Sequence, residues 1–472
     1  MNEFLRLVFS ELGSGIWLAM LLVALVGGGV LLRQRRRGGG PEWKRVLLLL
    51  LLVGYLAVVG YVTILRPGIG FGGFNLHLFR AWKEAWNNFS LKNWANVILN
   101  ILMFVPMGVL VPLVFEKCRG RRILLVALGS TLLVECLQLA TGTGIFDVDD
   151  LFANALGCLM GYCLMMAVLS GLGQKWRGAA VYFLLSMLPM AAVGAIFIAY
   201  AIKPYGNLPY NWIYRTNTQD VSWSLDCTLP EPLPTAAVYQ APSRTQAECD
   251  KYALEFAAHW GGTYDDIYYY DQEIYYRDYD TDGRMTYLTL SRLDGSFSFW
   301  SETNTKATDA PTVWAELSRP ALEEALAQFG ITIPKEAVFL GVSEALPGDG
   351  DRRTHVYRAE GLVTADGFLN GECRVCLSEY GTCLEVDHRL VTYAHYADEA
   401  IRSPEEACRK MFDGYFSAGW FERQNPTQVH VTDCQLAYAL DTKGFYQPVY
   451  QFEVMAPDWD GSDIITIPAI AF

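Results

Sequence analysis

The N-terminal 202 residues alternate long apolar runs with short polar breaks. A helix needs about 20 apolar residues to cross a hydrocarbon core about 30 Å thick. Such runs lie at Ile16–Leu32, Val46–Leu65, Trp94–Phe115, Ile123–Ala140, Leu151–Leu169 and Ala179–Ile202, so the pattern predicts six membrane helices. The first run is short, but its positive charge follows the apolar stretch and no small-residue cleavage site comes after it. It therefore reads as a retained anchor rather than a signal peptide. Past residue 202 the period changes. Helices are expected at Thr245–Trp260, Arg319–Phe329 and Ser403–Ala418, the last opened by Ser403-Pro404-Glu405-Glu406 as cap, first-turn proline and first-turn acids. Alternating apolar and polar positions predict strands at Tyr287–Leu293 and Phe297–Trp300 about the turn Asp294-Gly295, and at Gly371–Glu379 and Thr382–Thr392 about Tyr380-Gly381. Three more are expected at Gln428–Leu440, Tyr446–Met455 and Ile464–Ile470.

The expected fold is a multi-pass α-helical membrane domain with six helices, joined to an extracytoplasmic α+β domain of helix-then-antiparallel-strand units. The domains are residues 1–202 (membrane), 203–242 (a linker rich in Pro and Asn) and 243–472 (α+β). Charge sharpens this division. Residues 1–202 hold 17 Lys/Arg and 9 Asp/Glu, for a net +8, whereas residues 203–472 hold 20 and 41, for −21. So acidic a second part excludes a nucleic-acid partner, because affinity for phosphate backbones comes from Lys and Arg.

Lysine and arginine also orient the spans. Loop 33–45 has six, 116–122 four and 174–177 two, and short loops rich in these residues face the cytoplasm. The segment 66–93 spreads four over a longer stretch, and 141–150 has none. Spans then alternate so that everything from Lys203 onward is extracytoplasmic. Trp43, Trp94, Tyr200 and Tyr205 suit interfacial positions.

On this topology, independent segments bring polar groups to one outer depth. They are Arg66, Asn96 and Asn100, Glu135 and Gln138, then Asp147, Asp149, Asp150 and Asn154. Glu135 and Gln138 are three apart and share a helix face. Ionisable residues within a span cost about 2.5–3.5 kcal/mol on insertion scales, so a cluster of them marks a ligand-binding or catalytic site. The structural alternatives are an Asp149 or Asp150 cap on the fifth span, a Glu135–Arg66 pair, and amides that stitch helices together. Glu135 and Asp150 are the candidate general acid or base. No histidine joins the cluster and no Ser or Cys stands beside a base, so covalent catalysis has no support. A metal held by Glu135, Asp147, Asp149 and Asp150 is conceivable, since carboxylates suit a hard cation, but no metal or cofactor is expected. Ala153, Gly157 and Gly161 are small enough for close helix contact.

At these residues the chain resembles the VanZ-like family of bacterial membrane proteins, over roughly residues 46–170. The motifs are Asn96-Val-Ile-Leu-Asn100-Ile-Leu-Met-Phe104-Val-Pro106-Met-Gly108, Glu135-Cys-Leu-Gln138, and Phe146-Asp147-Val-Asp149-Asp150-Leu-Phe-Ala-Asn154-Ala-Leu-Gly157 with Gly161. The family usually has Asn-Leu-Ile-Pro-Phe before the third span, where this chain reads Asn75-Leu-His77-Leu-Phe79. The resemblance implies a role at the bacterial envelope, with glycopeptide (teicoplanin) resistance as the family's name-giving trait. Residues 240–470 resemble PepSY-like and YycI-like domains through the Ser-Pro-Glu-Glu helix opening and Tyr446-Gln-Pro448-Val-Tyr450-Gln-Phe452, which implies a binding or regulatory module.

Three local signals have plainer readings. Asp278-Tyr-Asp280-Thr-Asp282-Gly283 begins like a calcium loop, but its twelfth position is Thr289, so a hairpin turn is expected. Cys373-Arg-Val-Cys376 has zinc or redox spacing, yet on a strand the two cysteines face opposite sides. Asn88-Phe-Ser90 is a formal glycosylation sequon with no expected use in a bacterial chain. Three functions follow as expectations. The first is a non-enzymatic envelope protein in the bacterial cell membrane, whose membrane domain recognises a lipid, a lipid-linked wall precursor or a glycopeptide-type amphiphile at the outer leaflet. Its soluble domain would bind peptide, peptidoglycan or a protein partner. The second is a membrane enzyme acting on a lipid-linked substrate through Glu135 or Asp150. The third is an extracytoplasmic sensor.

Overall fold

Lipid offers backbone polar groups no hydrogen-bond partners, so apolar runs cross it as helices that satisfy their own. The computed structural model of the protein describes residues 43–65, 73–208, 215–279, 283–301, 317–343, 354–377, 383–416, 421, 425–457 and 461–470, except 116, 118, 119, 261 and 328. The chain divides into two units, Met1–Lys203 and Pro204–Phe472. In the first, α1 (Trp43–Gly60) ends in a wider π turn, Tyr61–Leu65. After it come β1 (Phe74–Asn75), α2 (Arg80–Asn88), α3 (Leu91–Met103) and α4 (Val105–Val114). The unit closes with α5 (Arg121–Thr141), β2 (Phe146–Asp147), α6 (Val148–Leu172) and α7 (Trp176–Ile202).

Among the described residues, five stretches are long and apolar enough to cross a membrane: Trp43–Ile64, Leu91–Val114, Arg121–Thr141, Val148–Leu172 and Trp176–Ile202. Each overlaps an expected span. The sixth expected span, Ile16–Leu32, lies outside the described residues. The Leu91–Val114 stretch is broken at Phe104, where Pro106 opens α4; a proline in the first turn lacks an N–H that the helix would leave unpaired anyway.

Helix α6 is the centre of this unit and packs against α3, α4, α5 and α7. Glycines set its distance from α3 and α4. A Cβ on Gly157 would lie 1.7 Å from the Ile101 carbonyl oxygen, and one on Gly161 would lie 2.0 Å from that of Val105. Opposite them, a Cβ on Gly108 would lie 1.9 Å from the Cys158 carbonyl oxygen. Two apolar clusters flank this seam. One joins Leu52, Phe104, Met107, Ile123 and Cys158, and the other joins Ala85, Trp94, Ile101, Met160 and Val193.

The second unit begins with β3 (Ser222–Leu225), β4 (Thr235–Gln240) and α8 (Gln246–Trp260). Strands β5 (Asp266–Tyr269), β6 (Glu273–Tyr279), β7 (Met285–Ser291) and β8 (Phe297–Ser301) form an antiparallel meander. Then come α9 (Arg319–Ala327), β9 (Val338–Ser343), β10 (Thr354–Thr364), β11 (Gly367–Leu377), β12 (Cys383–His388) and β13 (Val391–Ala400). The unit closes with α10 (Pro404–Phe412), β14 (Gln428–Leu440), β15 (Phe445–Met455) and β16 (Asp463–Pro468). The sheet runs β3-β14-β15-β4-β13-β11-β12-β8-β7-β6-β5, with β10 and β9 branching from β11 and β16 beside β15.

Helices α8 and α9 bury Phe256, Leu322 and Leu326 against Leu288, Leu290, Tyr357 and Val375 of one half-sheet. Helix α10 buries Ala407, Cys408 and Met411 against Val429, Tyr450 and Phe452 of the other. Aromatic rings fill the junction: Tyr393 stacks on Tyr446 at 4.3 Å, and Tyr239 on Phe368 at 4.5 Å.

Several details differ from the sequence reading. The stretch read as linker supplies β3 and β4. The strand expected at Thr382–Thr392 is two, broken at Arg389-Leu390, where the Arg389 carbonyl approaches Gly371 so closely that a Cβ there would lie 2.0 Å away. Gly371 also has φ +115, which a side chain would strain. Of the calcium-like segment, 280–282 lie outside the described residues, and the flanking strands pair as a hairpin through Tyr279 and Met285. Cys373 and Cys376 are both buried. In the sequon, Ser90 caps α3, accepting from the Asn93 N–H at 3.1 Å.

Candidate functional site

The polar groups gather where α6 begins. Asp147 ends β2 and caps α6: its Oδ1 accepts from the Asp149 N–H at 2.7 Å. The same oxygen accepts from Asn75 Nδ2 at 3.0 Å, and β1 and β2 run parallel with Asn75 opposite Asp147. The Asp147 N–H in turn donates to Glu135 Oε2 at 2.8 Å. One capping residue thus ties the segment before α2 and the end of α5 to the start of α6.

Asp149 reaches the other way. Its Oδ1 accepts from the Phe79 N–H, and its Oδ2 accepts from the Ala81 N–H at 2.7 Å. Phe79 precedes α2, and Phe79 itself supplies no side-chain cap. A carboxylate at a helix N-terminus satisfies donors the helix leaves open and complements its dipole. Asp149 therefore holds α2 in place. Of the two carboxylates considered as caps for the fifth span, neither does that work; Asp147 does.

Glu135 and Asp150 are bound differently. Helix α5 presents Thr131, Glu135 and Gln138 at helical spacing, and α6 presents Asp150, Asn154, Gly157 and Gly161 in the same way. Glu135 and Asn154 are almost fully buried, at 1% and 2% exposure. Asp150 Oδ1 accepts from Asn100 Nδ2 of α3. Asn154 Nδ2 donates to Thr131 Oγ1 at 2.9 Å. Gln138 Nε2 donates to the Thr63 carbonyl at 3.0 Å, tying α5 to the π turn of α1. Glu135 bonds described residues through Oε2 alone, and Asp150 through Oδ1 alone. Among the described residues, Asn154 Oδ1 is buried without a hydrogen-bond partner. A buried acceptor left unpaired costs the desolvation of that group, about 1–3 kcal/mol, and calls for an explanation.

Of the residues singled out in the sequence, the structure brings together Asn100, Glu135, Asp147, Asp149, Asp150 and Asn154. Gln138 sits one turn beyond Glu135 and bonds α1. Asn96 is exposed on α3, and Arg66 lies outside the described residues. The sequence reading passed over Asn75 and Thr131. Thr131 was findable, since it lies four residues before Glu135 on the same face. Asn75 was visible as a motif position, but its pairing with Asp147 needs the β1–β2 ladder. Among the described residues, no three or more His, Cys, Asp or Glu side chains come together in a way that could hold a metal ion.

This arrangement coincides with a known family. Residues 46–169 match VanZ/LLP1. This part of the chain is a VanZ-like domain. The match runs from α1 into the last turns of α6, so every group of the cluster lies inside it. No curated protein matches the chain. What the VanZ-like domain offers chemically is a buried carboxylate on α5, and on one face of α6 a second carboxylate and an amide oxygen unpaired among the described residues, all of them acceptors.

Proposed function

We propose that the protein is a recognition protein of the bacterial cell envelope, in which the VanZ-like domain binds the head group of a lipid, a lipid-linked wall precursor or a glycopeptide-type amphiphile at the outer leaflet. One observation carries this reading: among the described residues Glu135 and Asp150 each accept through one oxygen alone, and Asn154 Oδ1, one turn after Asp150, is buried without a partner. A buried acceptor without a partner is costly inside a membrane-length helix bundle, and a bound ligand would offset that cost. The family match supports a link to glycopeptide resistance. The Lys/Arg bias of the loops supports an outward-facing site and an extracytoplasmic second unit. That unit has the make-up of a binding module. Its meander carries a shallow hollow lined by Glu273, Tyr275, Arg277, Tyr287, Thr289 and Ser298, a mixed aromatic and charged surface suited to peptide or glycan.

The test is glycopeptide tolerance of cells that depend on this protein, comparing wild type with the double variant Glu135→Gln, Asp150→Asn at matched protein levels. Both changes keep shape and one acceptor oxygen, and they remove the charge by turning the other oxygen into an NH2 donor. Tolerance should be lost. Wild-type tolerance in the double variant would refute the reading.

A further inference from the structure

On β6, β7 and β8 the alternation along each strand separates two faces of the sheet. Ile274, Tyr276, Leu288, Leu290, Phe297 and Phe299 are buried in the core that α8 and α9 cover. The positions between them, Tyr275, Arg277, Tyr287, Thr289, Ser298 and Trp300, therefore share the opposite face. An antiparallel sheet face turned away from its helices is ordinarily polar, yet this one carries three large rings. Cross-strand register sets these side chains in two rows. Tyr275 stands opposite Thr289 and Thr289 opposite Ser298, while Arg277 stands opposite Tyr287 and Tyr287 opposite Trp300. Residues of both rows line the hollow of about 360 Å³ on this face, a size within the range of about 300–1,000 Å³ for ligand sites.

The lining is held in place and balanced in charge. The Tyr287 and Trp300 rings lie 5.5 Å apart, and Tyr275 meets Tyr270 edge-on at 5.2 Å. The Arg277 guanidinium lies over the Tyr268 ring at 5.0 Å, and the Tyr275 hydroxyl donates to Glu273 at 2.6 Å. One guanidinium and one carboxylate line the hollow, so their charges cancel and neither sign of ligand is selected. No strand edge is open here: β6 lies between β5 and β7, β7 between β6 and β8, and β8 between β7 and β12. A peptide therefore cannot join as an added strand, the mode that supplies main-chain affinity at a sheet. The chemistry fits a flat, uncharged ring with an apolar C–H face and a rim of hydroxyls, which is a pyranose. The negative faces of the Tyr rings attract its C–H groups, while Glu273 accepts from its hydroxyls and Arg277 donates to them. Resting on the binding-module reading of the second unit, we infer that this hollow binds a glycan of uncharged pyranose rings, with Tyr287 as its stacking ring and Arg277 and Glu273 as its hydrogen-bonding groups.

Two kinds of glycan carry such rings, those with acetamido groups and those with hydroxyls alone, and chitotetraose and cellotetraose represent them with the same linkage. Each is titrated by calorimetry onto the full chain in phosphatidylglycerol nanodiscs, with empty nanodiscs as the blank and tetraalanine as the peptide comparison. The wild type should bind at least one of the two saccharides, at least tenfold more tightly than tetraalanine. Tyr287→Ala and Arg277→Ala should each weaken that binding at least tenfold, whereas Tyr287→Phe, which keeps the ring, should stay within about threefold of the wild type. Glu255→Gln, on the exposed α8 pair with Lys251, should change nothing. Binding of neither saccharide by the wild type overturns the glycan inference without needing any variant to fold, and so does tighter binding of tetraalanine. Saccharide binding that survives Tyr287→Ala and Arg277→Ala unchanged moves the glycan elsewhere and overturns the assignment to this hollow. Loss of glycopeptide tolerance in the Glu135→Gln, Asp150→Asn double variant is read separately, so the recognition role of the membrane unit can stand while the glycan assignment falls.

Discussion

Replacing Gly157 by alanine should unseat α3 from α6 and open the site from behind. The new Cβ would meet the Ile101 carbonyl oxygen at 1.7 Å, against an ordinary contact of 3.4 Å or more. The helices must therefore part by about 1.7 Å, because a backbone carbonyl cannot rotate aside as a flexible side chain can. Overpacking of this kind costs about 1–3 kcal/mol, occasionally more. Alanine's better helix propensity returns about 1 kcal/mol at most. The shift also acts on Asn100, next to Ile101, whose amide holds Asp150. With the other cysteines replaced by serine, a thiol-reactive dye follows the outcome during heating, because buried Cys158 reports the opening of the α4–α6 seam. The variant should expose Cys158 several degrees below the wild type. Gly129→Ala is the internal control, since its Cβ would meet nothing within 4 Å in the middle of α5. It should leave the melting temperature unchanged or raise it. If Gly157→Ala melts with the wild type, the close approach of α3 to α6 is not what the packing requires and the argument fails.

Acid should weaken the second unit through His388. Its ring stacks on Phe297 at 5.0 Å, and burial, reinforced by Arg244, pushes its pKa down from 6.5 to about 4. The unfolded chain takes up that proton first, so the stability is fully present above about pH 6.5 and is lost as pH falls toward 4. At pH 4.5 the loss from this group is about 2–3 kcal/mol, read as the difference in urea stability between wild type and His388→Gln at pH 7 and 4.5. An identical acid loss in both proteins would remove His388 from the account. Reporter fusions in the loop 116–122 and after residue 472 should report the cytoplasm and the exterior respectively; a cytoplasmic second unit would turn the cluster toward the wrong leaflet.

The spans were legible because a run of about 20 apolar residues admits few structures other than a membrane helix. Their polar residues were legible for the opposite reason, as exceptions to that rule. What the sequence hid was the division of labour among the acids. Asp147, Asp149 and Asp150 look alike in a row, yet one caps α6, one caps α2 and one meets Asn100. That assignment depends on β1 and β2, two residues each and too short to show a period. Helix α2 was hidden as well, because its first turn is closed by a carboxylate about 70 positions away rather than by a neighbour. In the second unit, the α10 opening Ser403-Pro404 was read correctly from local chemistry, and Ser403 accepts from the Glu406 N–H at 3.2 Å. Strands β5 and β6 went unread, since tyrosines on both faces obscure the alternation. Strand β4 went unread because prolines surround it.

The double use of Asp147 and Asp149 also limits how this membrane unit can be taken apart. Segment 73–81 gives Asp149 its two N–H donors and gives Asp147 its Asn75 amide; segment 146–150 gives the acceptors. Neither segment is complete alone. In chimeras between related chains, the two must travel together as one cassette although α3, α4 and α5 separate them in the chain. A graft carrying only the loop would leave the α2 amides open, and one carrying only the acids would leave two carboxylates without their caps. Breakpoints between α3 and α5 are thus inherited rules of recombination, written by a two-residue ladder.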